Sequence, residues 1–341
     1  MKLKEYLVNC VKTNKVPGIC VAYINEKDNY FLDVGFKGYI KYLGESYPVD
    51  QNTLYDLASL TKVVCTTTLI LKLIEDHYFS LETRVQDILP DFKYANISIK
   101  DLLTHTSGLP ADDKKYKECV TEEEMWQFVL NEPLVYETGS KVEYSDFGYI
   151  ILGKVIEHFK FNIAEYANEV IFKPLGMNHT MFKPKDKGFL NDCAASEISE
   201  TRGVIRGEVH DGKAFKLGGI SGNAGLFSTT RDLTKFVSMM LDDGYPILKK
   251  ETIKSFKSCQ TKGLNLSRTI GWFFNDETTP VYGLCSNCSL WHTGFAGGSI
   301  LIDYEKKCGI IILTNRVHPT RNNDITELRT QIHKMILNNE L

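Results

Sequence analysis

The chain has no apolar run long enough to span a bilayer, no excess of either charge and no glycine-rich phosphate loop. Its longest apolar stretch, residues 63–74, is broken by three threonines and Lys72, far short of the ~20 residues a membrane helix needs. It reads as a buried helix, and no membrane segment is expected. A net charge of −3 removes the electrostatic case for a nucleic-acid partner or an anionic membrane. G-x-G-x-x-G and G-x-x-x-x-G-K-S are both missing, so no nucleotide site is argued. Internal repeats and low-complexity linkers are absent too.

The first ten residues lack the apolar core of a secretory signal. They read as an amphipathic helix with Leu3, Leu7, Val8 and Val11 on one face. Nine cysteines, an odd number, then fit reduced thiols, and the expected location is the cytosol. Cys285-x-x-Cys288 is a single isolated pair, better read as two free thiols than as a zinc or redox site. His77, His158, His179 and His318 have no metal-ligand spacing. Neither a metal nor an organic cofactor is expected.

What is present is an ordinary globular composition, 43% hydrophobic and 24% charged over 341 residues, enough for one large domain or two sharing an interface. Short strands are expected near 18–24 and 30–39 after the opening helix. Helical periodicity then dominates, with helices near 60–76, 98–104, 121–131, 146–159 and 163–172. Residues 186–219, rich in glycine and charge, read as a long loop bordering a site. A helix near 230–241 follows, then strands near 270–275, 280–284, 289–293, 299–303 and 308–313, and a closing helix over 323–337. The pattern predicts an α+β fold: an antiparallel sheet flanked by terminal helices, with a helical insertion between its halves. Residues 1–55 and 220–341 would form the sheet subdomain and 56–219 the mainly helical one, with the active site in the crevice between them.

The chemistry concentrates at Ser59-Leu60-Thr61-Lys62, where the buried helix begins. Residues i and i+3 share a helix face, so the lysine nitrogen can lie beside the serine hydroxyl. A serine is a weak nucleophile until a neighbouring base takes its proton, and a desolvated lysine is one such base. Two further segments follow in order: Tyr144-Ser145-Asp146, 85 residues after Ser59, and His292-Thr293-Gly294, 148 residues after Tyr144. Together the three resemble the S-x-x-K, Y-x-N and K-T-G motifs of the serine β-lactamase and penicillin-binding-protein superfamily, in its class C-like branch. The segments Leu102-Leu103-Thr104-His105-Thr106-Ser107-Gly108-Leu109-Pro110 and Ser221-Gly222-Asn223-Ala224-Gly225-Leu226-Phe227-Ser228 resemble that branch as well. The resemblance runs from about residue 15 to the C-terminus and extends to family VIII-type esterases and D,D-peptidases.

The resemblance implies a β-lactamase/transpeptidase-like fold and a Ser59 acyl-enzyme. Lys62 would be the base or base partner and Tyr144 the proton shuttle, its phenolate favoured by neighbouring cations. The backbone N–H groups of Ser59 and Phe295 would form the oxyanion hole. Asp146, His292, Thr293, Gly294 and His210 are the expected substrate-side residues. Two positions depart from the commonest pattern. Asp146 stands where Asn is usual, and an ionised carboxylate only accepts hydrogen bonds. His292 replaces the lysine of K-T-G and brings a less permanent charge. His105 reads as part of a helix-ending turn. The expected substrate is a small molecule or peptide: a β-lactam, a D-alanyl peptide or a small ester. The rival expectation is a binding or sensory protein that keeps the fold without turnover. Oligomeric state is not legible.

Overall fold

A computed structural model describes residues 2–277, 279 and 281–341. Its main sheet has six antiparallel strands in the order Asn29–Gly35, Gly18–Ile24, Cys308–Thr314, Ser299–Asp303, Ser289–Thr293 and Phe273–Phe274. Chain start and chain end therefore pair side by side, Val21 opposite Ile312. The central strands are nearly continuous apolar runs because both faces are covered, and successive side chains point to opposite faces. Ile19, Val21, Ile310 and Ile312 pack against Leu3, Leu7, Leu328, Ile332 and Ile336 of the terminal helices Leu3–Lys12 and Thr326–Leu337. Cys20, Ala22, Ile311 and Leu313 face the opposite way. They join a core that runs without a break into Leu69, Leu102, Phe147 and Ile151 of the helical part. The opening helix buries Leu3, Leu7 and Cys10, and Val8 and Val11 flank that face half-buried.

The helical part holds Ile99–Thr104, Glu122–Asn131 and Asp146–Lys160. The first two begin at Ser98 and Thr121, each closing a capping box with Asp101 or Glu124, which satisfies otherwise orphaned N–H groups. The helix expected at 60–76 opens with a wide π turn over Lys62–Thr67 before becoming α-helical at Thr68–Glu75. The Thr66 hydroxyl there donates to the Gly222 carbonyl at 2.7 Å. The stretch 163–172 divides the same way, α-helical over Ile163–Ala167 and a π turn over Asn168–Phe172.

Four expectations need correction. Residues 186–219 are not a plain loop: Ala195–Ser199 and Gly203–Arg206 form a hairpin, and Gly212–Lys216 a short helix. The second strand stops at Gly35, whose φ of +95° turns the chain; a Cβ there would sit 2.4 Å from the Pro17 carbonyl. Of the strand expected at 280–284, Pro280 lies outside the described residues. The remainder turns, with Leu284 N–H donating to Val281 O at 3.0 Å. A helix over Lys250–Phe256 was not anticipated. Among the described residues no helix is long and apolar enough to cross a membrane.

Candidate active site

Asp56, buried at the end of the short strand Tyr55–Asp56, fixes the turn that carries Ser59. One of its oxygens accepts from Ala58 N–H at 2.8 Å and the other from His210 N–H at 2.7 Å. Ala58 is thereby held at φ +46°, a left-handed conformation that costs a non-glycine residue about 1 kcal/mol or more. Gly294 approaches from the sheet so closely that a Cβ would lie 2.3 Å from the Leu57 carbonyl. Only glycine allows that approach, and it brings the loop carrying Phe295 beside the Ser59 turn. Among the described residues, neither the Ser59 nor the Phe295 N–H has a hydrogen-bond partner. The Arg316 guanidinium braces this loop by donating to the Phe295 carbonyl at 2.7 Å.

Lys62 is fully buried. Its nitrogen donates to Ser59 Oγ at 3.0 Å, Asp146 Oδ1 at 2.7 Å and Asn223 O at 3.0 Å. An ammonium has three N–H donors, and here all three are used. Burial opposes its charge, but Asp146 and then Tyr144 outweigh that cost and hold its pKa above the ordinary lysine value. The Asp146 carboxylate thus favours the ammonium form of Lys62, which donates to Ser59. The close packing of Gly222, whose Cβ would meet the Tyr149 carbonyl at 2.1 Å, sets the adjacent Asn223 carbonyl in place.

Asp146 serves two lysines. Its Oδ2 pairs with Lys213 at 3.1 Å, and Lys213 also reaches Asp112 at 2.7 Å. Burial would raise the Asp146 pKa, but the two ammoniums bring it below the usual carboxylate range. Lys213 is itself buried, with its pKa raised against burial chiefly by Asp146. Sequence reasoning passed over Lys213, although it lies three residues after His210 in a segment already singled out. The Asn at the usual family position could not neutralise two lysines as this Asp does.

Tyr144 lies against this group, its ring centroid 4.9 Å from Lys62 Nζ. Its hydroxyl is buried without a hydrogen-bond partner among the described residues. His105, at φ +60°, ends the helix Ile99–Thr104 as expected. It also accepts from Ser145 N–H through Nδ1 at 3.1 Å and packs its ring 4.6 Å from that of Tyr144.

His292 does not sit where a substrate would meet it. It is 1% exposed, packed beside Tyr144 and Phe273, with Nδ1 against the Thr293 carbonyl at 2.9 Å. Burial, then Arg268 and Lys62, push its pKa well below the ordinary histidine value, so the ring is neutral. The residues that do face the open space are Ser59, Tyr144, Asp146, His210, Lys213 and Phe295, in a cleft of about 860 Å³. Thr293 and Gly294 line a second recess of about 350 Å³ on the far side of Phe295, with Arg316, Arg321 and Arg329.

His210 stacks on Phe295, centroids 5.7 Å apart, and its Nε2 lies 3.0 Å from Glu197 Oε2. Glu197, on the unanticipated hairpin, is gripped by Arg321 from the loop after the sheet. Burial raises the Glu197 pKa, but Arg321 and His210 bring it down to about 2 from an ordinary 4.5. A depressed carboxylate stabilises the fold fully above its ordinary value, and that contribution is lost as pH falls from 4.5 toward 2. Arg321 is more than half exposed, so screening limits the effect to about 1 kcal/mol. Glu197→Gln is expected to lower stability by that amount near neutrality and to match wild type at the acid end, as read from urea midpoints across the range.

All nine cysteines are free thiols. Burial pushes the Cys285 thiol up to about 12 and raises Cys288 too, leaving neither primed as a thiolate.

Among known families, the model described as "Beta-lactamase" matches residues 3–333. A "Putative D-alanyl-D-alanine carboxypeptidase" of Salmonella agona is 34% identical, over 86% of this chain and 77% of the relative. The octameric penicillin-binding protein homologue of Pyrococcus abyssi superposes with TM-score 0.77 at 24% identity, covering 98% of this chain and 76% of its own. A class C β-lactamase superposes with TM-score 0.77 at 18% identity, covering 98% and 95%.

Proposed function

Because the chain belongs to the Beta-lactamase family, we propose that it is a serine hydrolase working through an ester on Ser59. The observation that carries this reading is the contact between Lys62 Nζ and Ser59 Oγ at 3.0 Å, beside two unpartnered backbone N–H groups. Ser59 Oγ attacks a substrate carbonyl, and the carbonyl oxygen gathers charge between the N–H groups of Ser59 and Phe295. Lys62 is already protonated, so the hydroxyl proton passes to the Tyr144 oxygen in its phenolate form. Tyr144 returns the proton to the departing amine or alkoxide, leaving the acyl group on Ser59. Water, activated along the same route, then releases the acid. Lys62 in this scheme is the base partner: it holds Ser59 and balances the charge that moves onto Tyr144.

The substrate we favour is a peptide ending in D-alanyl-D-alanine. The recess beside Thr293 supports it, since Arg329 there makes neither an ion pair nor a side-chain hydrogen bond among the described residues and suits a free carboxylate. The printed name of the Salmonella relative points the same way. A β-lactam or a small ester would use the same chemistry. Turnover assays separate these readings, using a D-alanyl-D-alanine peptide, nitrocefin and p-nitrophenyl acetate and butyrate. Release of D-alanine as the fastest reaction is the expected result. Nitrocefin or ester hydrolysis without D-alanine release would reassign the substrate. No turnover of any of them, with no Ser59 adduct, would leave a binding protein.

A further inference from the structure

Behind Tyr144, away from the cleft, lies a buried cation that the acyl-transfer scheme leaves unused. Arg268 is 0% exposed and is among the largest fully buried side chains. It has no carboxylate partner among the described residues. One guanidinium nitrogen donates to the Gly271 carbonyl at 3.0 Å, while Nε and Nη1 find no acceptor. The guanidinium stacks over Phe273 at 4.0 Å and lies 6.0 Å from the centroid of Tyr144. A buried charge left unpaired is costly, so its persistence calls for a counter-charge in some state of the protein.

The other polar groups around Tyr144 show the same imbalance. His105 accepts through Nδ1, which in the neutral ring leaves Nε2 as an N–H donor, and that donor has no acceptor. His292 donates through Nδ1 to the Thr293 carbonyl, which in the neutral ring leaves Nε2 as an acceptor, unpartnered among the described residues. Tyr149 uses its hydroxyl on Thr67, and burial pushes its pKa up to about 12. Lys62 is a cation already matched by Asp146, which Lys213 shares. The pocket therefore holds a surplus positive charge, and its spare acceptor, His292 Nε2, is neutral, so what it lacks is an anion. The group placed to become that anion by losing a proton is Tyr144, whose own hydroxyl is unpartnered among the described residues.

We propose that Arg268 is a positioning residue for acyl transfer, a fixed cation that stabilises negative charge on the Tyr144 oxygen, a task that neutral His292 cannot perform. The inference rests on the Ser59 acyl-enzyme reading and says how its proton acceptor is kept charged. It accounts for the unpaired guanidinium, the surplus positive charge and the orphan hydroxyl together. When Tyr144 is a phenolate, Arg268 and His105 face an anion; when Tyr144 takes the proton from Ser59, that stabilisation is given up.

Two readouts test it on wild type, Arg268→Met and Arg268→Lys, each with and without Tyr144→Phe. The first is the ultraviolet phenolate titration, taken as the difference between proteins with and without Tyr144. The second is the pH dependence of Ser59 labelling by a fluorophosphonate. With Arg268→Met, the Tyr144 transition and the acid limb of labelling are expected to move up together by about one to three pH units. At pH values on that limb this is a tenfold to thousandfold slower reaction. Arg268→Lys should recover part of the shift. An Arg268→Met protein that melts cooperatively but shows neither movement would overturn the proposal. So would a wild-type Tyr144 that ionises only where free tyrosine does, a result that needs no Arg268 variant to fold. If Ser59 is never labelled in wild type, the hydrolase reading fails, and the titration still decides whether Arg268 and Tyr144 are coupled.

Discussion

Replacing Ser59 with alanine is expected to cut turnover of any accepted substrate by about four to six orders of magnitude, the scale seen when an acyl-enzyme nucleophile is removed. The size follows from the geometry. Among the groups lining the cleft, Ser59 Oγ is the hydroxyl that Lys62 touches, at 3.0 Å. The protein should barely notice the change otherwise. Lys62 keeps its contacts to Asp146 and to the Asn223 carbonyl, so the lost hydrogen bond is expected to cost no more than about 1 kcal/mol. Progress curves and a urea melt on the same preparation check both halves. A variant that keeps more than a hundredth of the activity, or one that unfolds, would contradict the account.

Tyr144→Phe carries the second largest effect, lowering activity and stability together. Losing a proton carrier of this kind typically costs about 10²–10⁴ in rate. The oxygen that goes is the anion facing Lys62 and Arg268 in the proposed resting state, so those buried cations lose compensation and stability should fall by about 1–3 kcal/mol. The ring's packing against His105 is kept. A purely structural tyrosine would show the loss of stability with little change in rate. Measuring kcat/KM beside the urea midpoint distinguishes the two.

The parts of this protein that could be read from the chain were those encoded by short-range pattern. Short continuous apolar runs marked the paired strands Gly18–Ile24 and Cys308–Thr314, and helical periodicity marked Glu122–Asn131 and Asp146–Lys160. Ser59 and Lys62 were legible because i and i+3 meet on one helical turn. What escaped were pairings across long separations. Lys213 meets Asp146 and Asp112, and Arg321 meets Glu197 from 124 residues away, and no local pattern announces either pair. The hairpin Ala195–Arg206 was hidden because its strands are short and their pairing shifts register between Ala195 and Ile198, so no regular alternation marks them. His292 was expected to face substrate with a less permanent charge, because a motif fixes sequence position but not depth. Burial beneath Phe273 and Tyr144 makes it neutral.

Lys62 illustrates how magnitudes decide a role. Desolvation favours the neutral amine that a general base requires, whereas a base partner can remain an ammonium, and the sequence left both roles open. In the folded chain the carboxylate of Asp146 at 2.7 Å outweighs burial, which favours the proposed role of Lys62 as base partner.

The most direct test of the central claim is peptide mapping by mass spectrometry after reaction of the wild-type protein with a fluorophosphonate. The account predicts a single adduct, on the peptide containing Ser59, that is absent from Ser59→Ala. An unmodified Ser59 peptide, or an adduct on another residue that persists in the alanine variant, would contradict it.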